Sequence, residues 1–444
     1  MIENISLAFC IPFIGMLLSI AIFPLIAGKW WEKKKQYIVI LWSLLFLIPF
    51  AVKYSAGIMG ETLLDIVLND YMTFIVLLFG LFCVSGNIAI KGNFSGAPKV
   101  NVILLLIGTL LSSWIGTTGA SMIMIRPIMR ANAWRKRKVQ IIVFFIFLVS
   151  NIGGCLTPVG DPPLLMGFMR GVPFFWSLRL FPVFILNTAI LLVVFFFLDR
   201  RAYRKDIAEG HAPGLTAEKT TVRIEGIHNI IFIVMIVVAV ILSGALSSLP
   251  LFEKGVSLTE NVYLSTASVV EVAIILLAAF LSMKTTKKEV RIENQFSWAA
   301  IQEVAILFIG IFITMEPALL FLEAHGASLG LQHPWQMFWA AGALSSFLDN
   351  TPTYLVFLTT AGTLGAATGI TTSVGTIAPV MLKAISCGAV CMGANTYIGN
   401  APNFMVRSMA EEGGVRMPSF FGYMAWSGSI LIPVFFIDML VFFL

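Results

Sequence analysis

The sequence predicts an all-α polytopic membrane protein. It has about ten transmembrane helices plus two re-entrant hairpins in an inverted-topology repeat. Three observations lead there: composition, the placement of the basic residues, and a pair of motifs that recurs in the second half. The chain has 444 residues, 58% hydrophobic and only 12% charged, with mean hydropathy +0.93. Soluble domains carry about 25% charged residues. Apolar runs of about 20 residues recur, each long enough to cross a hydrocarbon core, where a β-barrel would show short alternating strands.

Basic residues fix the orientation. The clusters KWWEKKK (Lys29 to Lys35), KGNFSGAPK (Lys91 to Lys99), RANAWRKRK (Arg130 to Lys138), DRRAYRK (Asp199 to Lys205) and KTTKKEVR (Lys284 to Arg291) all fall on the cytoplasmic side under the positive-inside rule. The net charge of +6 and pI near 9.0 need no nucleic-acid partner; the partner implied is the lipid bilayer. Spans read as 4–26, 36–53, 68–90, 139–170, 175–198, 227–249, 264–283, 300–322, 377–410 and 419–443. Residues 199–226 form a cytoplasmic linker between two halves, 1–198 and 227–444. The start, MIENISLAFC, lacks a basic n-region, so no cleavable signal peptide is expected. The five cysteines form no C-x-x-C, which implies neither zinc nor a disulfide framework.

Residues 101–129 do not fit as a span, because both flanks are basic. A hairpin that enters, turns near Gly116-Thr117-Thr118-Gly119 and leaves on the same side keeps both flanks inside. Its arms are expected at about 12–15 residues, too short to span. LSSWIGTTGAS (Leu111 to Ser121) matches LSSFLDNTPTY (Leu344 to Tyr354), and PVGDPPLLM (Pro158 to Met166) matches YIGNAPNFM (Tyr397 to Met405), in the same order and at nearly the same separation. The flanks of a second hairpin, 334–362, carry no Lys or Arg, so it enters from outside. Matched elements entering from opposite sides belong to secondary transporters, whose sites lie near the midplane at discontinuous helices.

Two such discontinuities are expected, in 139–170 and 377–410. Pro162 and Pro163 remove backbone donors and push Asp161 out of the α region, while Gly153 and Gly154 weaken the preceding helix. The helix should break near Thr157 to Asp161 and restart at Pro162 or Pro163. Freed backbone groups are tolerated at membrane depth only against protein or water. There, carbonyls and a carboxylate hold a cation, and a helix N-terminus favours an anion. The matched break is GANTYIGNAPN, Gly393 to Asn403.

SNIGGCLTPVGDPPLLMGFMRGV, LDNTPTYLVF and GANTYIGNAPN resemble the ion transporter superfamily, most of all bacterial sodium/proton antiporters of the D type and citrate transporters. The resemblance spans essentially the whole chain. It implies a scaffold, a mobile transport domain holding two hairpins and two broken helices, an elevator-like motion, a homodimer, and the bacterial cytoplasmic (inner) membrane. Dicarboxylate members carry Ser-Asn-Thr at both tips. Here the tips read Gly116-Thr117-Thr118 and Asp349-Asn350-Thr351, and an acidic tip suits a cation.

Ionisable residues within a membrane are functional candidates by default. Asp161 and Asp349 are the Na+ candidates. Asn350, Thr351, Asn151, Thr157, Gly160, Thr117, Thr118, Asn395, Thr396 and Asn400 complete the candidate substrate and ion site, and Glu316 is a candidate for a proton path. Helix capping is the alternative role for Asn350, Thr351 and Thr118. Glu303, Glu271 and Asp438 read as interfacial or paired charges, and Arg126 as a snorkelling one. No cofactor is expected beyond transported Na+ and H+. The favoured reading is a Na+/H+ antiporter, with Asp161 and Asp349 alternately binding the two ions. The alternative is a carrier of citrate or another carboxylate coupled to Na+ or H+. An intramembrane aspartyl protease fails because Pro158-Val159-Gly160, not Gly-x-Gly, precedes Asp161, and it leaves the repeat unexplained. No enzyme is expected.

Overall fold

The structure is a computed structural model that describes all residues except 1–4, 93–94, 212–222, 247–254, 260–261 and 295. It is an all-α polytopic membrane protein. Among the described residues nine helices are long and apolar enough to cross a membrane. The count differs from the expected set of spans for a physical reason. The second broken helix is divided into pieces of 14 and 12 residues, and the expected span 227–249 is described as the shorter apolar run Asn229–Gly244, so neither is counted, whereas the first arm of the first hairpin is long enough to be counted.

The chain opens with α1 (Ile11–Ile26) and α2 (Gly28–Tyr54), then α3 (Ala56–Asp65), a π-helical turn and α4 (Met72–Gly86). The first hairpin is α5 (Pro98–Ile115) and α6 (Thr117–Ala131). Its arms are 18 and 15 residues, the first longer than the expected 12–15 and the second within it, and it is still a hairpin. Gly116 turns the chain with φ +80°, a region that favours glycine. At the base the two ends meet: a Cβ on Gly96 would sit 2.3 Å from the Ala131 carbonyl, and Asn101 Nδ2 donates to Asn132 Oδ1 at 3.0 Å.

The first broken helix is α7 (Val139–Leu148), a 3-10 turn (Ile152–Leu156), an irregular stretch, and α8 (Pro162–Met169). The restart at Pro162 is where the prolines place it. The α-helix ends earlier than expected, at Leu148 rather than near Thr157. All of Gln140–Leu148 is buried, and 94% of the window Val139–Leu156 lies inside the protein, against 22% for α2. A helix apolar all round is a core helix. Its exposed counterpart, α2, turns Ile40, Leu44 and Ile48 outward, as a lipid-facing helix does. The break is therefore wrapped in protein, where loose backbone is tolerated.

After α8 come α9 (Phe181–Ala208), α10 (Asn229–Leu246), α11 (Thr266–Thr285), the short α12 (Lys288–Glu293) and α13 (Ala299–His325). The second hairpin is α14 (Pro334–Phe347) and α15 (Asn350–Gly362); the second broken helix is α16 (Pro379–Met392) and α17 (Ala401–Glu412); α18 (Phe420–Phe442) closes the chain. The bases of the two hairpins lie at opposite ends of the bundle. Gly413, after α17, packs on Met129 at the end of α6, whereas Gly362, ending α15, packs on Val374. Arg170, after α8, accepts from Ser373 N on that same segment.

The linker expected at 199–226 is a loop only in part. α9 continues to Ala208, and residues 212–222 lie outside the described residues. The helix runs on because its charges are neutralised where they are buried. Arg135 pairs with Asp199 at 2.6 Å and Asp206 at 3.3 Å, all three side chains being 0% exposed. Asn101 and Gln140 also donate to Asp199. A buried pair of this kind adds little net stability; here it fixes where the base of the first hairpin sits against α9. At the exposed rim, hydrogen bonding from Arg137 holds the Glu209 carboxyl down at about 2.

Candidate ion and substrate site

The two hairpin tips and the two breaks converge on Asp161. It is fully buried and extended (φ −144°, ψ 137°). As the N-cap of α8 it would ordinarily accept from the second or third helical N–H, but Pro163 has none and Leu164 N donates to the Asp161 backbone carbonyl at 3.1 Å, and the Asp161 side chain makes no cap bond. The carboxylate is left to other segments. Thr117 Oγ1, from the first tip, donates to Oδ1 at 3.1 Å. Asn350 Nδ2, from the second tip, donates to Oδ2 at 2.7 Å. Asn400 Nδ2, from the second break, approaches Oδ1 at 3.4 Å.

The same logic repeats at each break. Thr157 Oγ1 donates to the Ser113 carbonyl, and Thr396 Oγ1 to the Ser346 carbonyl. Ser113 Oγ donates to the Gly153 carbonyl, and Ser346 Oγ to that of Met392 at 3.1 Å. These residues stand at matching places in the two repeated motifs, and each pair ties a break to its own hairpin. The Gly160 carbonyl accepts from Thr117 N at 2.9 Å. Gly160 has no room for a side chain, since a Cβ would lie 2.3 Å from the Gly154 carbonyl.

Amides join the breaks to one another. Asn151 Nδ2 donates to Asn403 Oδ1 at 2.7 Å, and Asn400 Nδ2 reaches Asn151 Oδ1 at 3.3 Å and the Ser150 carbonyl at 3.2 Å. Asn403 Nδ2 donates to the carbonyls of Gly393 and Thr396. Asn395 Nδ2 donates to Ser346 Oγ at 2.9 Å, and its Oδ1 is buried without a partner.

Asp349 does not sit on Asp161. It caps α15, accepting from Thr351 N at 3.0 Å, so the capping role considered for Asn350, Thr351 and Thr118 belongs to Asp349. The second tip reaches Asp161 through Asn350 instead. Asp349 lines a cavity of about 380 Å³ together with Thr117, Thr118, Gly119, Gly160 and Asn400. Thr351 is buried, its Oγ1 3.5 Å from Asn350 Oδ1. The cavity runs toward Gly28, Trp31, Glu32 and Glu303, at the end of the bundle bearing Lys29 to Lys35. Its described lining holds three acidic side chains and no Lys or Arg.

Other expectations move. Glu316 does not line the cavity; its charged neighbours are Asp70 and Arg170, which pair at 3.0 Å. Glu303 is ion-paired, with Lys35 at 2.9 Å. Asp438 is not interfacial and has no ion pair among the described residues: it is fully buried and accepts from Asn187 Nδ2 at 2.9 Å. Glu271 is buried beside Ser243. Arg126 donates to the Asn294 carbonyl. The five cysteines are buried free thiols. Sequence reasoning missed Ser113 and Ser346, whose signal was present in the repeated Leu-Ser-Ser. Asn403, which closes the second break read from the sequence, stands where the first break has the apolar Leu164.

Residues 2–443 match a family model described as "Putative citrate transport". The chain belongs to this family. No curated protein matches it. Membership of a citrate transport family makes the chain an integral membrane protein of the secondary-transporter kind, working in a lipid bilayer on a small molecule. The resemblance read from its motifs agrees with that placement. The family description fits the carboxylate reading better than the antiporter reading.

Proposed function

We propose that this protein carries a carboxylate of the citrate class across the bacterial cytoplasmic membrane together with Na+ or H+. One observation carries the reading: a single cavity is lined both by the first turn of a helix and by an acidic residue. On one wall lie Thr118 and Gly119, in the first turn of α6, where N–H groups have no intrahelical partner and the helix dipole favours an anion. On the other lies the Asp349 carboxylate. With no basic side chain on the described lining, a bare tricarboxylate is poorly matched, and an accompanying cation balances its charge. A cavity of about 380 Å³ falls within the usual range for small-molecule sites.

The paired hydrogen bonds of the two halves, and hairpins based at opposite ends of the bundle, support an inverted-topology repeat spanning 1–198 and 227–444. In our reading the hairpins and broken helices move as one body against the outer helices, in a homodimer, by an elevator-like alternating access. The cavity faces the cytoplasm in the state described. A second reading, Na+/H+ antiport, is favoured by the carboxylates Asp161 and Asp349 and by the acidic lining. Proteoliposomes separate the two. We expect labelled citrate to accumulate when an inward Na+ or H+ gradient is imposed. Sodium-driven proton movement with no citrate uptake under either gradient would replace the first reading with the second.

A further inference from the structure

A second buried carboxylate lies away from the hairpin tips. Asp438 on α18 and Asn187 on α9 are both 0% exposed. Asn187 Nδ2 donates to Asp438 Oδ2 at 2.9 Å. The other oxygen of each group, Asn187 Oδ1 and Asp438 Oδ1, is buried with no hydrogen-bond partner. Buried polar atoms are almost always satisfied, and an orphan calls for an explanation. Two orphans on one bonded pair call for a single one.

The charged and titratable neighbours do not supply it. On α16, Lys383 is the cation in electrostatic reach of Asp438, but its ammonium sits 4.3 Å over the Phe442 ring and forms no ion pair with the carboxylate among the described residues. Cys387 and Cys391, also on α16, and Cys155, in the first break, face the same carboxylate. All three are buried thiols, weak donors at best; Cys391 also meets the Asn187 amide, as an acceptor, which leaves Asn187 Oδ1 and Asp438 Oδ1 without a donor. Rotating the Asn187 amide would set its oxygen against Asp438 Oδ2 and lose the one bond present.

We infer that Asp438 binds a proton on Oδ1 and, as a neutral carboxylic acid, forms a cyclic acid–amide pair with Asn187. One proton converts Oδ1 from acceptor to donor. That donor is offered to Asn187 Oδ1 while Nδ2 still donates to Oδ2, so both orphans are satisfied at once. The proton avoids an unpaired charge in the protein interior, which is among the costliest things to bury. The step is a simple protonation: Asp438 gains H+ on closing the ring and loses it on opening. The location gives it consequence. α9 packs on the first break and α18 on the second, and Cys155 and Cys391 lie within electrostatic range of both Asp438 and Asp161. Asp438 is thus a proton site built behind the breaks and separate from the cavity.

Infrared spectroscopy of the purified full-length protein in lipid, at neutral pH, tests this without any transport assay. We expect a carbonyl band of a protonated, hydrogen-bonded carboxyl that vanishes in Asp438→Asn and does not respond to Na+. In Asn187→Leu the same band should shift to higher frequency, because the acid loses its amide partner. That variant keeps Asp438 and decides the matter if Asp438→Asn does not fold. The inference is overturned if Asp438→Asn leaves the carboxyl region unchanged, if Asn187→Leu leaves the band where it is, or if Na+ abolishes the band, which would make the site a cation site.

Discussion

Asp161 and Asn400 occupy the same place in two matched breaks. Each is extended, each caps a short helix beginning with proline at its first or second position, and neither uses its side chain as a cap. Asp161 accepts from both tips and from Asn400; Asn400 only donates. At the tips the charge is exchanged: Gly116 in the first hairpin matches Asp349 in the second. One geometry is thus used twice with opposite polarity. The repeated framework fixes where the segments meet, and the residues that differ between the halves decide what is held there.

The largest effect is expected from removing the charge that unites the four segments. Asp161→Asn keeps the shape but turns an acceptor for several donors into a group that also donates. Hydrogen bonds to a charged group are worth about 1.5–3 kcal/mol each. Losing two of them implies a fall in transport rate of about 100-fold or more in liposome flux, with the protein still folded by thermal melting. Unchanged flux would mean that Asp161 is a framework residue only.

The reverse exchange, Asn400→Asp, sharpens the comparison. It sets two buried carboxylates near the present 3.4 Å contact. Two like charges about 4 Å apart repel by about 4 kcal/mol at an effective dielectric of 20. The pair should take up one proton and titrate as a unit, so the pH optimum of transport should move to lower pH. A pH profile identical to wild type would show that the two positions are not in contact in the working protein.

A smaller effect probes the framework itself. Thr157→Val and Thr396→Val each leave a buried carbonyl of the adjacent hairpin without its donor. Each should cost about 1–3 kcal/mol, with the larger drop in melting temperature for Thr396→Val, whose Oγ1 also accepts from Ile398 N and Gly399 N at 3.2 Å. A larger drop for Thr157→Val would mean that these bonds do not set the energetics of the two breaks.

The smallest effect lies at the rim. Glu209 is held at about 2, below the usual 4.5, first by its hydrogen bond from Arg137. A lowered folded pKa contributes stability that is present above the unfolded value and lost as pH falls toward the folded one. Glu209→Gln should therefore lower the melting temperature slightly at neutral pH and low salt. The difference from wild type should close as pH drops from about 4.5 to about 2.

Much of this was legible in the sequence because strong local physics wrote it. Pro162 and Pro163 together, behind Gly153 and Gly154, disfavour a helix running on through Asp161 and suit a restart, and the basic flanks of α5 and α6 favour a return to the same side. What was not legible depended on which side chains turn toward one another. Asp161 and Asp349 read from the sequence as alternating partners of the two ions, but the direct contact to Asp161 comes one residue along, from Asn350, while Asp349 accepts from the Thr351 N–H and stays within electrostatic reach of Asp161. The long polar stretch after Asp199 predicts a linker, yet the helix carries its charges on to Ala208. Arg135, far away in sequence, neutralises them in the interior. The Asn187–Asp438 pair joins residues 251 positions apart, and no local pattern marks it.

The central claim is that Thr118, Gly119 and Asp349 bound one site that takes an anion with its cation from the cytoplasmic side. A single cysteine at Thr118 tests it most directly. The native thiols are all buried, so background labelling by a membrane-impermeant thiol reagent should be low. The account predicts that Thr118→Cys is labelled from the side bearing Lys29 to Lys35, and that citrate protects it only when Na+ or H+ is also supplied. Labelling only from the opposite side, or labelling that citrate and cation together leave unchanged, would contradict it.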